Sequence, residues 1–194
     1  MDQGVKRIML AGVGGQGILL ASRVLSSGLL KAGFDVKSSE VHGMAQRGGS
    51  VVTQLSYGKK VYSPISGAGA VDLLITLEKL EALRYVHFLK KNGTLLMNAR
   101  EIPSLPILIG AAEYPADIEE RLSRYPISLY TIDADREAEK LGNPRVMNVV
   151  LLGAMVKLAG LSELVDWPSV VAESVKPAYR EINLKAFAAG QNLV

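Results

Sequence analysis

The chain has 194 residues, 48% hydrophobic and 21% charged, a composition that belongs to a globular chain able to bury a core without covalent staples. It has no cysteine, which excludes disulfides, thiolate catalysis and cysteine-ligated iron–sulfur clusters from these residues. His42 and His87 are the only histidines, so no metal site is expected. The formal net charge is +3, with Lys6-Arg7, Lys59-Lys60 and Lys90-Lys91 the only adjacent basic pairs. No basic stripe with interleaved aromatics is visible, so nucleic acid is not an expected partner.

Residues 6–11 are a short apolar run bounded by glycine, which predicts a buried strand. A glycine-rich turn at 12–17 leads into a helix at 18–32, which Gly33 ends. A second strand is expected at 35–40 and a loop with three glycines at 41–49. The β-branched run at 50–57 predicts a third strand, with Gly58-Lys59-Lys60 turning it as a hairpin into residues 61–63. Another strand follows at 71–77, then an amphipathic helix at 77–89 with Leu77, Leu80, Leu83 and Val86 on one side.

Asn92-Gly93 is expected to turn the chain into a strand at 94–98. After a proline-broken stretch at 100–115, a short helix is predicted at 117–125 and a strand at 128–132. Asp133 is placed to cap the next helix, which Asn143-Pro144 breaks. Residues 145–160 are apolar on nearly every side, the pattern of a buried helix. Pro168 and Pro177 sit where helices start, and the last helix should run to about residue 191.

No linker, repeat or composition shift divides the chain, so residues 1–194 read as a single domain. The longest apolar run, residues 149–155, is too short to span a bilayer. The N-terminal apolar stretch is broken by glycines and is not a secretory signal. No membrane partner and a cytoplasmic location are therefore expected. Alternating strands and helices predict an α/β fold: a three-layer, Rossmann-like domain with a mostly parallel, mixed sheet.

Gly12, Gly14 and Gly17 match G-x-G-x-x-G between a predicted strand and helix, with Gly15 and Gln16 between them. Such a turn offers close backbone approach and helix N-terminal amides to a phosphate or carboxylate. A dinucleotide site also wants an acid at the end of the second strand, and Glu40 occupies that place. A nucleotide, another anion and plain architecture all remain compatible with these residues.

The segment Glu40, Val41, His42, Gly43, Met44, Ala45, Gln46, Arg47, Gly48, Gly49 holds more polar chemistry than a turn needs. Loops at the carboxyl ends of strands form the ligand crevice of open α/β sheets, so this one should lie beside the glycine turn. His42 has the chemistry of a proton carrier and Arg47 that of a carboxylate or phosphate clamp. A solvated surface loop is the alternative. Asn148, near the start of the buried helix, is expected to satisfy backbone groups or to reach a neighbouring subunit, and His87 to be an ordinary packing or surface residue.

Two stretches, GVGGQG at 12–17 and SEVHGMAQRGGSVVTQLSYG at 39–58, together resemble the gamma-type domain of the 2-oxoacid:ferredoxin oxidoreductases. Residues 77–85 (LEKLEALRY), 148–154 (NVVLLGA) and 183–187 (NLKAF) are similar to the indolepyruvate branch of that family. The resemblance covers essentially the whole chain. It implies a subunit of an enzyme that oxidatively decarboxylates 2-oxoacids, indolepyruvate and other aryl pyruvates first, to acyl-coenzyme A. Electrons would pass to ferredoxin.

Thiamine diphosphate, magnesium and iron–sulfur clusters would sit on a larger partner subunit, with coenzyme A as co-substrate and no cofactor held firmly here. Glu40, His42, Gly43, Met44, Gln46, Arg47, Gly48 and Gly49 would then face that partner or its active site, with no catalytic step assigned to them. Gly12, Gly14, Gly15, Gln16 and Gly17 would meet an anionic group of coenzyme A or serve as architecture. A gamma subunit acting on 2-oxoglutarate, pyruvate or a branched-chain oxoacid is the alternative within the family. A free-standing dinucleotide-binding protein is the alternative outside it.

Overall fold

The computed structural model describes residues 4–40 and 49–194. Six strands form one sheet: β1 (Lys6–Val13), β2 (Asp35–Glu40), β3 (Ser50–Gly58), β4 (Val71–Thr76), β5 (Leu89–Asn98) and β6 (Ser128–Ile132). Their order is β2-β3-β1-β4-β5-β6. The pairs β1/β4, β4/β5 and β5/β6 are parallel, while β3 runs antiparallel to both β1 and β2. The expected mixed, mostly parallel sheet is present.

Alternation along the strands divides the core in two. Ile8 and Leu10 of β1 face one side, where α1 (Ile18–Lys31), α5 (Ala134–Lys140), α6 (Met147–Leu158), α7 (Trp167–Ser174) and α8 (Arg180–Asn192) pack. Met9 and Ala11 face the other, which α2 (Lys79–Tyr85) and α4 (Ile118–Ser123) cover. Helices on both faces give the predicted three layers. The short helix α3 (Leu105–Leu108) has no buried residue.

Helix α6 is buried from Met147 through Val156, as its all-round apolar sequence requires. It can lie against α8 because two glycines let the backbones touch. A Cβ on Gly153 would stand 3.0 Å from the carbonyl carbon of Phe187, and one on Gly190 2.8 Å from that of Val150.

Two expectations need correcting. Residues 61–63 form no strand. Strand β3 already has β1 on one side and β2 on the other, so a hairpin partner after Gly58 would find no free edge. Instead the Val61 amide donates to the Asp35 carboxylate at 2.8 Å. The antiparallel element of the sheet is β3 itself. Asn92-Gly93 is likewise not a turn before a strand but an excursion inside β5. Asn92 takes φ 61°, and five residues of β5 span what two residues of β4 span between the pairs Val71–Leu89 and Leu73–Thr94.

Candidate functional site

Strands β1, β4, β5 and β6 end at one edge of the sheet, and β3 begins there. The helix after β1 goes to one face and the helix after β4 to the other, so the connections diverge and open a crevice between those strand ends. The glycine turn lies at this crevice. Its end opens α1, with Gly17 in the left-handed region at φ 80° and, among the described residues, no side chain capping the helix.

Side chains of the chain itself fill the turn. The amide of Gln16 accepts from the Val13 N–H at 2.6 Å and donates to the Leu77 carbonyl at 3.0 Å. Gln16 therefore ties the end of β1 to the end of β4 across the crevice. Gly12 is required by that clasp, since a Cβ there would press on Ile18 and Leu77 at 3.0 Å and more closely on Gln16. Gly17 is required by Asn148, whose Nδ2 donates to the Gly17 carbonyl at 3.0 Å and whose Cγ would be 3.0 Å from an added Cβ. Gly15, at φ 98°, has open space around it.

Asn148 is 4% exposed, and its Oδ1 has no hydrogen-bond partner among the described residues. An orphaned buried amide oxygen costs about 1–3 kcal/mol. Asn148 thus satisfies a backbone group, as expected, but one far off in sequence, where it holds the glycine turn.

The dinucleotide geometry is not assembled. Glu40 ends β2, but β3 stands between β2 and β1; Glu40 pairs with Thr53, and Thr53 with Leu10. The acid is thus one strand too far from the glycine turn to sit where a ribose-binding group should. The Gln16 side chain is engaged within the turn by Val13 and Leu77.

The second loop meets the turn at its exit. The Gly14 N–H donates to the Gly49 carbonyl at 2.9 Å, and Ser50 pairs with Val13. His42, Gly43, Met44, Gln46, Arg47 and Gly48 lie outside the described residues. Ser50 is held from α2, since its hydroxyl donates to Glu81 at 2.5 Å and lies 3.1 Å from the Tyr85 hydroxyl. Glu81 is 3% exposed and pairs with Arg84 at 3.1 Å. Burial pushes its carboxyl above the usual range, against the opposing pull of the Ser50 hydrogen bond and Arg84. Glu78 caps α2 through the Glu81 N–H and accepts from Ile102 and Tyr114. Burial, then that Glu78 contact, raises the Tyr114 phenol.

Farther along the same edge, Asp133 caps α5 as predicted. Asp135 does more than start that helix, accepting from Asn98 and Arg100, both at 2.7 Å. His87 is exposed and contacts Phe88 at a tilt, with ring centroids 4.4 Å apart, the ordinary role expected of it.

Sequence reasoning missed a cleft of about 440 Å³ beside the first turn of α1. Leu20, Val146 and Val175 supply its apolar wall, Asn143 and Asn183 its amides, and Arg145 and Lys176 its charge. Neither cation has an ion pair among the described residues, and no acid lines the cleft. Arg145 precedes α6 and so stands near the helix that holds Gly17. These residues are scattered over more than 160 positions of sequence, and no sequence signal pointed toward them. Among the described residues no group of three or more acids or histidines is placed to hold a metal, and no helix is long and apolar enough to cross a membrane.

The fold is that of known gamma subunits. A keto/oxoacid ferredoxin oxidoreductase gamma subunit from Geobacter sulfurreducens superposes with TM-score 0.75 at 24% identity, over 98% of this chain and 96% of that one. The 2-oxoglutarate:ferredoxin oxidoreductase from Magnetococcus marinus, solved with 2-oxoglutarate, coenzyme A and succinyl-CoA bound, matches with TM-score 0.72 at 20% identity. That match covers 99% of this chain and 31% of the longer one.

The pyruvate ferredoxin/flavodoxin oxidoreductase family model matches residues 7–193, and the chain belongs to that family. Its curated relatives include the indolepyruvate oxidoreductase subunit IorB of Pyrococcus horikoshii, 38% identical over 190 residues, covering 94% of this chain and 93% of that one. The chain is a subunit of a ferredoxin-dependent 2-oxoacid oxidoreductase.

Proposed function

We propose that this chain, as one gamma-type domain, is the small subunit of a cytoplasmic indolepyruvate-type oxidoreductase. It would act with a larger subunit that carries thiamine diphosphate, magnesium and the iron–sulfur clusters. The identity to an indolepyruvate oxidoreductase subunit over nearly the full length of both chains carries this reading. A thiolate-held cluster does not fit these residues, because none is cysteine. The reaction would convert an aryl pyruvate and coenzyme A to an acyl-coenzyme A and carbon dioxide, with two electrons passed to ferredoxin.

The C-terminal edge of the sheet is the face this chain would present to the larger subunit. The glycine turn and the exit of the 41–48 loop meet there through Gly14 and Gly49. The connection leaving β5 at this edge carries Leu105, Leu108 and Ile109, each about 70% exposed. Three exposed apolar side chains on and just after a helix with no buried residue call for a covering partner. Part of coenzyme A would enter the cleft beside α1, where Arg145 and Lys176 would meet its phosphates and the apolar wall its organic part. The self-filled glycine turn would support that cleft from below as architecture. The loop residues His42, Gln46 and Arg47 would face the partner's reaction site.

A second reading, a 2-oxoglutarate enzyme, has the likeness to the 2-oxoglutarate:ferredoxin oxidoreductase fold behind it. A substrate panel on the co-purified two-chain complex, read as ferredoxin reduction, separates the two. Preference for indolepyruvate over 2-oxoglutarate, pyruvate and branched-chain oxoacids supports the first reading, and the reverse order refutes it. In the same complex, Arg47→Ala or His42→Ala should lower turnover with assembly intact. Unchanged turnover would assign the loop to assembly alone.

A further inference from the structure

The sheet has two lateral edges, β2 and β6, and they differ in chemistry. Strand β2 carries Asp35, Lys37 and Glu40, charges of the kind that keep an edge strand from pairing with another chain. Strand β6 (SLYTI) carries no charge, no proline and no bulge. Ser128, Tyr130 and Thr131 are exposed and Leu129 is half-buried, with Tyr130 at 41% exposure. Among the described residues, no strand lies beyond β6.

The hydrogen bonds around β6 show which of its backbone groups are left over. The Pro126 carbonyl accepts from the Asn92 N–H and the Ile132 carbonyl from the Ala99 N–H, both at 2.8 Å. Even-numbered residues of this stretch therefore turn their backbone polar groups inward to β5. Alternation turns those of Leu129 and Thr131 outward, where no strand among the described residues meets them.

We propose that β6 is a contact between two copies of this chain, paired antiparallel about a two-fold axis at Tyr130. In that register Leu129 of one copy lies opposite Thr131 of the other. The two exchange both backbone hydrogen bonds, and the axis repeats the exchange. Every outward amide and carbonyl in the middle of β6 is then satisfied. Tyr130 meets its own counterpart as a non-hydrogen-bonded pair, the position where cross-strand side chains come closest.

A two-fold contact sets one surface against itself, so an edge without charge suits it. Strand β2 does not suit it. Its central antiparallel register would set Asp35 of one copy against Glu40 of the other, like charge on like. Antiparallel pairing of β6 also sends the two C-terminal sheet edges to opposite ends of the joined sheet. Each is then free for its own larger subunit.

One strand pair and one aromatic contact bury less than a standard interface, so the self-association is weak. Sedimentation velocity of the full chain, from micromolar to near-millimolar concentration, should show a reversible monomer–dimer equilibrium. Tyr130→Lys removes the aromatic pair and sets two ammonium groups face to face, so the dissociation constant should rise about tenfold or more. Thr131→Pro removes an outward donor and leaves the bonds to β5 in place, and it should weaken the dimer likewise. The chain has no cysteine, so Tyr130→Cys supplies a single thiol at a pair spacing within disulfide reach. Mild oxidation should link two copies of it quickly. Tyr62→Cys, at 85% exposure elsewhere on the surface, should link slowly.

A chain that stays monomeric at near-millimolar concentration overturns the proposal. So does a dimer that Tyr130→Lys leaves intact and whose Tyr130→Cys form links no faster than the Tyr62→Cys form. Loss of the two-chain complex on Tyr130→Lys, with the variant still folded, also overturns it and assigns β6 to the larger subunit.

Discussion

Replacing Gly17 by alanine tests whether the glycine turn is shaped by the chain's own side chains. Two costs can be separated. Gly17 sits at φ 80°, where an L-residue is less stable by about 1–2 kcal/mol. Its new Cβ would also lie 3.0 Å from Asn148 Cγ and closer still to Nδ2. The Asn148 amide would have to turn away and lose its 3.0 Å bond to the Gly17 carbonyl, a further loss of about 1–3 kcal/mol for a buried group. Gly17→Ala should therefore destabilise the chain by about 2–5 kcal/mol.

Gly15→Ala is the internal control: φ is 98° but nothing lies within 4 Å of a Cβ, so only the backbone cost of about 1–2 kcal/mol applies. In an Asn148→Ala background the contact is already gone, and Gly17→Ala should fall to the Gly15 value. Urea unfolding followed by the fluorescence of Trp167, buried against Phe187, measures all four variants. Equal losses at Gly15 and Gly17, or no coupling between Gly17 and Asn148, would refute the packing account of the turn.

Gly190→Ala should destabilise more severely, by about 3–5 kcal/mol, because its Cβ would meet the backbone of Val150, which cannot rotate away; a small shift in thermal midpoint would contradict this. Glu81 has a folded-state pKa above its ordinary 4.5. The wild type is then free of the ionisation cost below pH 4.5 and loses stability as pH rises through the folded pKa. Glu81→Gln should remove that loss, so its stability relative to wild type should improve from pH 4 to pH 7. Parallel pH profiles in urea titration would count against it. In the assembled enzyme, Arg145→Gln and Lys176→Gln should each raise KM for coenzyme A about tenfold, the worth of one charge-assisted contact. At saturating coenzyme A, kcat should stay near wild type, whereas a fall in kcat with unchanged KM would move coenzyme A out of the cleft.

Most strands and helices announced themselves by local signals that tertiary structure did not override. The apolar run at Ile8–Ala11, the β-branched run of β3 and the all-apolar α6 each became the buried element predicted. Strand order was less legible. That β3 inserts between β2 and β1 depends on pairing across the whole sheet, and this placement removed both the 61–63 hairpin and the Glu40 ribose geometry. Asn92-Gly93 carried a true turn signal, a residue at φ 61°, but the fold spent it on a bulge.

At the site, glycine spacing showed a close approach without saying to what. Gln16 and Asn148 answer that, and Asn148 is 131 residues from the carbonyl it binds.

The central claim is that this chain works only as the cluster-free part of a larger oxidoreductase. Reconstitution tests it most directly: ferredoxin reduction with indolepyruvate and coenzyme A, measured for this chain alone, for the larger subunit alone and for the two together. The account predicts no reduction by this chain alone and full turnover only from the pair. Full turnover by the larger subunit without this chain would contradict it.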